Sequence, residues 1–371
     1  MARTGPQTQT GKIRLLGRNR AALEQFAAGR GQPPYRGRQL ARWIYARGAC
    51  DFASMTDLPA LWRAQLDEEA EVGRATVART QRSRDGTAKL LLELQDGQRV
   101  ETVLLPYEDR TSVCISTQVG CPVGCTFCAT ATMGLIRNLD AGEIVEQVLA
   151  GREHAPSRSG PSVTHVVVMG MGEPLLNYEP LVAAVRLLHD EMGLSYRHLT
   201  VSTAGYIPGI LQLAEEGLPI TLALSLHAPD DALRAELIPM ARRYPVQELM
   251  DAMQEYTRKT SRRVSLEYLL LADVNDTEPH ARALARLLRG TITHVNLIPW
   301  NPVASFSQFQ APSSARVRRF RQVLERAGIA VTQRAERGQD IDAACGQLVI
   351  KEGVRREAPP IPINTLAGSH V

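Results

Sequence analysis

Three cysteines fall within eight residues, in the run Gln118-Val119-Gly120-Cys121-Pro122-Val123-Gly124-Cys125-Thr126-Phe127-Cys128. A thiol cluster of this density is a metal or redox site before it is anything else. Structural zinc wants four ligands, usually as two pairs. No second cysteine pair exists, and the next histidine is His154. Three thiolates on one tight loop suit a [4Fe–4S] cluster with one iron left open for a small substrate. Gly120 and Gly124 let the backbone wrap closely around it. The other cysteines are Cys50, Cys114 and Cys345; six in 371 residues are too few for a disulfide scaffold. Cys345 sits between Ala344 and Gly346, small neighbours that leave its sulfur accessible. Cys114 and Cys345 are each either a reactive thiol or a buried, inert one. Cys50 belongs to no pattern and reads as inert.

These residues need a scaffold, and the chain supplies one by alternation. From Thr111, β-rich runs at 112–117, 165–169, 199–202, 220–225, 263–270 and 294–298 alternate with helical patterns near 140–151, 178–192, 208–216, 231–258 and 277–289. Asp140-x-x-Glu143 is a capping box for the first helix. Six βα units imply an α/β fold, a parallel sheet closed or partly closed into a TIM-like (β/α)6 barrel. Functional side chains then belong at the C-terminal ends of the strands. A further helix (313–327) and strand (329–333) follow. Upstream, 11 to about 80 reads as a small helical domain, and Asp96-Gly97 between two apolar runs marks a β-hairpin. The expected division is 1–85 helical domain, 86–110 hairpin extension, 111–335 barrel, and 336–371 a segment bearing Cys345, extended after Gly353.

The cysteine loop, with an aromatic residue before its last thiol, resembles the signature of the radical SAM superfamily. Gly172-Glu173-Pro174 after the second strand is similar to the motif that binds the amino group of S-adenosylmethionine there. Met171-Gly172-Glu173-Pro174, Tyr35-Arg36-Gly37-Arg38, Val113-Cys114-Ile115-Ser116, Leu224-Ser225-Leu226-His227-Ala228, Asn296-Leu297-Ile298-Pro299-Trp300-Asn301-Pro302 and Asp340-Ile341-Asp342-Ala343-Ala344-Cys345-Gly346 identify the chain more narrowly. They resemble the RlmN-type adenine-C2 RNA methyltransferases and their C8-methylating Cfr-type relatives, over roughly residues 11–355.

That resemblance implies a route. Cys121, Cys125 and Cys128 would hold one [4Fe–4S] cluster per chain. Gly172, Glu173, Ser202, Ser225, Leu226, His227 and Asn301 would bind S-adenosylmethionine, two molecules per turnover. Cys345 would take a methyl group from the first. A radical made from the second would remove a hydrogen from that methyl, whose carbon then joins the adenine. Glu101 would take the C2 proton, and Cys114 would release the product, leaving a transient Cys114–Cys345 disulfide. The substrates implied are 23S rRNA and tRNA, with an external donor of the flavodoxin type supplying electrons to a monomer. C8 methylation is the alternative reading.

Charge agrees with an RNA partner. The chain carries +4 overall, yet Lys12 to Arg47 holds nine basic residues against one acid, Glu24. A basic end on a balanced body suits a polyanion, with Arg316, Arg318, Arg319 and Arg321 as a second basic group; a solvated helix face is the plainer reading. The first residues carry no apolar leader, and no apolar run approaches about 18 residues. A cytoplasmic protein without a membrane partner is expected.

Overall fold

In the computed structural model, residues 11–155, 163–303, 306–335 and 337–350 are described. The extended tail expected after Gly353 lies outside them. The N-terminal unit starts at β1 (Ile13–Arg14) and passes through α1 (Arg20–Ala28), α2 (Tyr35–Ala41), a π-helical turn (Arg42–Ala46) and α3 (Ala60–Glu69). It ends at β2 (Ala70–Glu71), which pairs parallel with β1. Asn19 starts α1 by accepting the Ala22 amide at 2.9 Å. Leu23, Leu40, Ile44, Tyr45, Trp62 and Leu66 form its interior and are continuous with the core of the rest of the chain. A Cβ on Gly37 would lie 2.3 Å from the Glu24 amide, so glycine sets how closely α1 and α2 pack.

The extension is larger than a hairpin. β3 (Thr76–Arg82), β4 (Ala88–Glu93) and β5 (Arg99–Pro106) pair antiparallel in sequence. Asp96 and Gly97 make the expected turn: Asp96 accepts the Gln98 amide at 3.0 Å, and Gly97 has φ +79°. The helical reading of residues up to about 80 is therefore corrected at its end. β3 is polar and mostly exposed, with no apolar run to announce it. It is a strand because β4 offers it an edge.

β5 also pairs antiparallel with β6 (Thr111–Cys114), where the barrel begins. A short ribbon of β7 (Gln118–Gly120) and β8 (Leu135–Asn138) follows, then α4 (Ala141–His154). From there strands and helices alternate: β9 (His165–Val168), α5 (Tyr178–Asp190), β10 (Leu199–Thr203), α6 (Ile207–Glu215), β11 (Thr221–Ser225), α7 (Asp231–Leu237), α8 (Val246–Thr260), β12 (Ser265–Leu270), α9 (Glu278–Leu287), β13 (His294–Pro299), α10 (Ser314–Arg326) and β14 (Ala330–Gln333). The sheet runs β14-β13-β12-β11-β10-β9-β6-β5-β4-β3, parallel from β14 to β6. It is open, with β3 and β14 at its edges. The six expected barrel strands are all present. The stretch 231–258, read as one helix, is two, separated at Pro239 and Pro245, neither of which can continue a helix from the preceding turn.

Helix α4 joins the N-terminal unit to the barrel. Its capping box is complete: Asp140 accepts the Glu143 amide at 2.8 Å, and Glu143 accepts the Asp140 amide at 3.0 Å. Asp140 also pairs with Arg14 at 2.8 Å. On the same helix Glu146, 1% exposed, pairs with Arg74, which reaches Glu153 as well. Burial raises the Glu146 carboxyl to about 7, and Arg74 opposes that rise. Arg74→Met should cost about 3–5 kcal/mol at alkaline pH, where it leaves a buried carboxylate without its partner. Because Arg74 lowers the Glu146 pKa, its removal lets that pKa rise further above 7, so the loss should shrink as pH falls toward 7 and the carboxyl takes a proton. Urea denaturation at several pH values measures both.

Candidate active site

The thiol loop is suspended between β7 and β8. Gly120 ends β7 at φ +80°, and a Cβ there would lie 1.8 Å from the Gly134 carbonyl oxygen. That carbonyl accepts the Cys121 amide at 2.9 Å, closing the neck of the loop. Further along, the Thr126 amide donates to Leu237 O at 3.0 Å, anchoring the loop to the end of α7. Val123 and Phe127 pack into a satellite core with Leu237, Ile238, Leu269 and Trp300.

Cys121, Cys125 and Cys128 border one cavity together with Gly172, Glu173, Ser202, Ser225 and His227. Burial raises all three thiols; Cys121 and Cys125 also feel the charge of Cys128, and Cys128 that of Cys345. Among the described residues, no three Cys, His, Asp or Glu side chains converge as ligands of one ion would. Thiols spaced around a common space, each free to take a different metal atom, fit a multi-iron cluster better than a single ion.

Glu173 follows Gly172, whose φ of +108° and close approach to Thr117 and Gln118 exclude a side chain. Glu173 is 3% exposed. Its carboxylate accepts the amides of Ala204 (2.7 Å) and Leu175 (3.2 Å). Burial still lifts it to about 7, and no cation offsets the lift among the described residues. A buried carboxylate fixed by backbone amides and facing a cavity is a receptor for an ammonium group. That is the chemistry S-adenosylmethionine would present, so these residues fit both expected groups.

Ser202, Ser225 and His227 stand where expected, at the C-terminal ends of β10 and β11. His227 is at φ +60°, its Nδ1 accepts the Leu269 amide at 3.0 Å, and burial lowers the ring to about 3. It is neutral and packs edge-on to Phe127 at 5.0 Å. Leu226 does not join them. Its side chain is fully buried, its amide donates to Glu267 O and its carbonyl accepts from Arg234. β11 ends at Ser225, and the turn at His227 brings that ring to the cavity while the Leu226 side chain stays in the core.

A second lobe adjoins the first across Cys128, Met169, Gly170, Ile298, Arg334 and Cys345. Cys114 and Cys345, one on β6 and one in the C-terminal segment, both face it. Burial pushes the Cys114 thiol up to about 12. Asn301 lines this second lobe, donating to Cys345 O at 3.5 Å and accepting from Gln339 at 2.7 Å. The sequence reading missed three residues that line the first lobe. Arg334 is raised first by the charge of Cys345 and lies 3.9 Å from Glu267. Glu267 and Trp300 are buried in the first lobe, with Oε2 and Nε1 lacking hydrogen-bond partners. Glu267 was detectable, as an acid inside an otherwise apolar strand; Arg334 carried no such signal.

Glu101 lies apart from both lobes, bordering a separate pocket with Lys89 and Val349. Lys89 pairs with it at 2.9 Å and the Val349 amide donates to it at 2.8 Å. Burial raises its pKa against the pull of Lys89. The basic N-terminal stretch is also less free than its count suggests. Arg14, Arg20, Arg30, Arg38 and Arg42 each meet a carboxylate, and so do Arg316, Arg319 and Arg321.

Residues 115–284 match the family model described as the radical SAM superfamily, and 13–72 that of the ribosomal RNA large subunit methyltransferase N-terminal domain. A probable dual-specificity RNA methyltransferase RlmN of Symbiobacterium thermophilum is 49% identical over 92% of this chain and 92% of its own. One from a Synechococcus strain is 50% identical over 90% and 97%. The crystal structure of a radical SAM methyltransferase from Sphaerobacter thermophilus superposes with TM-score 0.87 at 48% identity, covering 90% of this chain and 98% of that one.

Replacing Glu173 by Gln keeps the two amide contacts and removes the charge. S-adenosylmethionine should then bind the reconstituted protein about tenfold or more weakly by calorimetry, the loss typical of a charge-assisted hydrogen bond.

Proposed function

The chain belongs to the RlmN-type radical SAM RNA methyltransferases, and on that premise we propose that it methylates C2 of an adenine in 23S rRNA and in tRNA through a methyl group carried on Cys345. The observation that carries this reading is the second lobe. Two thiols from segments far apart in the chain face one space, and Cys128 of the cysteine loop borders it.

Adenine C2 is not a nucleophile, so direct methyl transfer does not serve it. When bound, the cluster and S-adenosylmethionine supply the methyl group and a carbon-centred radical that removes hydrogen. Cys121, Cys125 and Cys128 would hold the iron, and Glu173 the ammonium of the substrate. Cys345 presents its sulfur toward both lobes, so the methyl it carries stands between the source of the radical and the base. After the methyl carbon has joined C2 and the C2 proton has left, Cys114 attacks the Cys345 sulfur. The carbon–sulfur bond breaks, the methylene carbon left on the base takes a proton to become the methyl group, the one surplus electron returns to the redox chain that supplied it, and a Cys114–Cys345 disulfide forms, to be reduced by an external thiol. Cys114 is protonated at neutral pH by virtue of its burial, which keeps it from reacting before the adduct exists. Glu101 is the base of this scheme; its contacts with Lys89 and Val349 must be released for it to act.

Electrons come from a flavodoxin-type donor, and the protein works as a cytoplasmic monomer. No helix among the described residues is long and apolar enough to cross a membrane.

Two variants separate the thiols. Cys345→Ala should abolish methyl loading of the protein from labelled S-adenosylmethionine. Cys114→Ala should accumulate a covalent RNA–protein adduct under anaerobic turnover, seen as a shifted band on denaturing gels. Normal turnover by Cys114→Ala would remove its role, and 8-methyladenosine as the sole nucleoside product would replace C2 by C8.

A further inference from the structure

Two residues that line the second lobe, Tyr107 and Arg337, have no part in the thiol chemistry. Tyr107 follows β5 and is half-buried, with exposed Glu108 and Asp109 next to it. Arg337 opens the segment that leads to Cys345 and is likewise half-buried. The Arg337 guanidinium lies over the Tyr107 ring, 4.5 Å from its centroid, and donates to Pro106 O at 2.8 Å. Its Nε–H is buried and has no hydrogen-bond partner. No carboxylate pairs with Arg337 among the described residues, whereas neighbouring Arg110 pairs with Asp109 at 3.2 Å.

We propose that Arg337, held flat by the Tyr107 ring, binds a phosphate of the RNA strand beside the unstacked adenine at the mouth of the thiol cavity. The inference rests on the RNA reading above. A base that leaves its stack drags its flanking phosphates to the rim of the pocket it enters. A planar guanidinium at that rim without a carboxylate partner among the described residues is the donor such a phosphate requires, and stacking on an aromatic ring fixes its plane in advance. Position adds a second argument. Arg337 lies eight residues before Cys345, so a phosphate seated on it would also brace the segment that carries the methylated sulfur. Tyr107 acts here as a positioning residue.

The test is binding of a fluorescent stem-loop RNA with an unpaired loop adenine to the reconstituted protein, by anisotropy across a salt series. Arg337→Ala should weaken binding about tenfold and lower the salt slope by about 0.7, the value of one single-strand phosphate contact. Arg337→Lys should keep the slope while losing part of the affinity, because charge remains and the flat stack does not. Tyr107→Leu should weaken binding with little change in slope. An unchanged slope in Arg337→Ala, with S-adenosylmethionine binding intact, would show Arg337 to be only a tether to Pro106 and overturn the proposal. Product analysis of the wild type on the same RNA is read separately: absence of C2 methylation sinks the functional reading, while the slope still reports on Arg337.

Discussion

The Ala129 amide donates to the Gly346 carbonyl at 2.7 Å, and the organisation of the site depends on this contact. Ala129 directly follows the last thiol of the loop, and Gly346 directly follows Cys345. One hydrogen bond thus ties the edge of the cysteine loop to the segment carrying Cys345. Neighbouring contacts reinforce it: Thr130 donates to Leu348 O at 2.7 Å, and Gln347 to Pro302 O at 2.8 Å. Gly346 stands at φ +82°, which lets the chain reverse there without strain. Two lobes sharing one wall follow from this arrangement.

Three buried carboxylates show how partners decide what a group is for. Glu146 faces Arg74 and joins the N-terminal unit to α4. Glu101 faces Lys89, which itself donates to Asp342 O at 3.0 Å, so this pair fastens the C-terminal segment to β4 and β5. Glu173 faces backbone amides and a cavity, with no cation beside it among the described residues. The first two are each paired with a cation of the protein. The third has none beside it among the described residues.

Much of this was legible in the residues. The thiol spacing, the glycines at its neck and the apolar β-runs are local signals, and the loop, the sheet order and most strand-end residues followed from them. What escaped depends on tertiary partners. Polar β3 becomes a strand through pairing alone. Arg334 matters because β14 ends beside Cys345 and Glu267. The contacts of Glu101 with Lys89 and Val349 depend on the pairing of β4 with β5 and on where the C-terminal segment lies. One miss had a visible signal: Pro239 and Pro245 interrupt the stretch read as one helix.

The wall shared by the two lobes joins residues more than 200 positions apart, Cys128 and Cys345. During synthesis at about 5–20 residues per second, the three clustered thiols are complete roughly 10–40 s before the segment that covers them is made. For that interval the nascent chain presents its cysteine loop without its cover. The order of residues along the gene therefore opens a time window in which the three thiols are accessible before the protein closes over them.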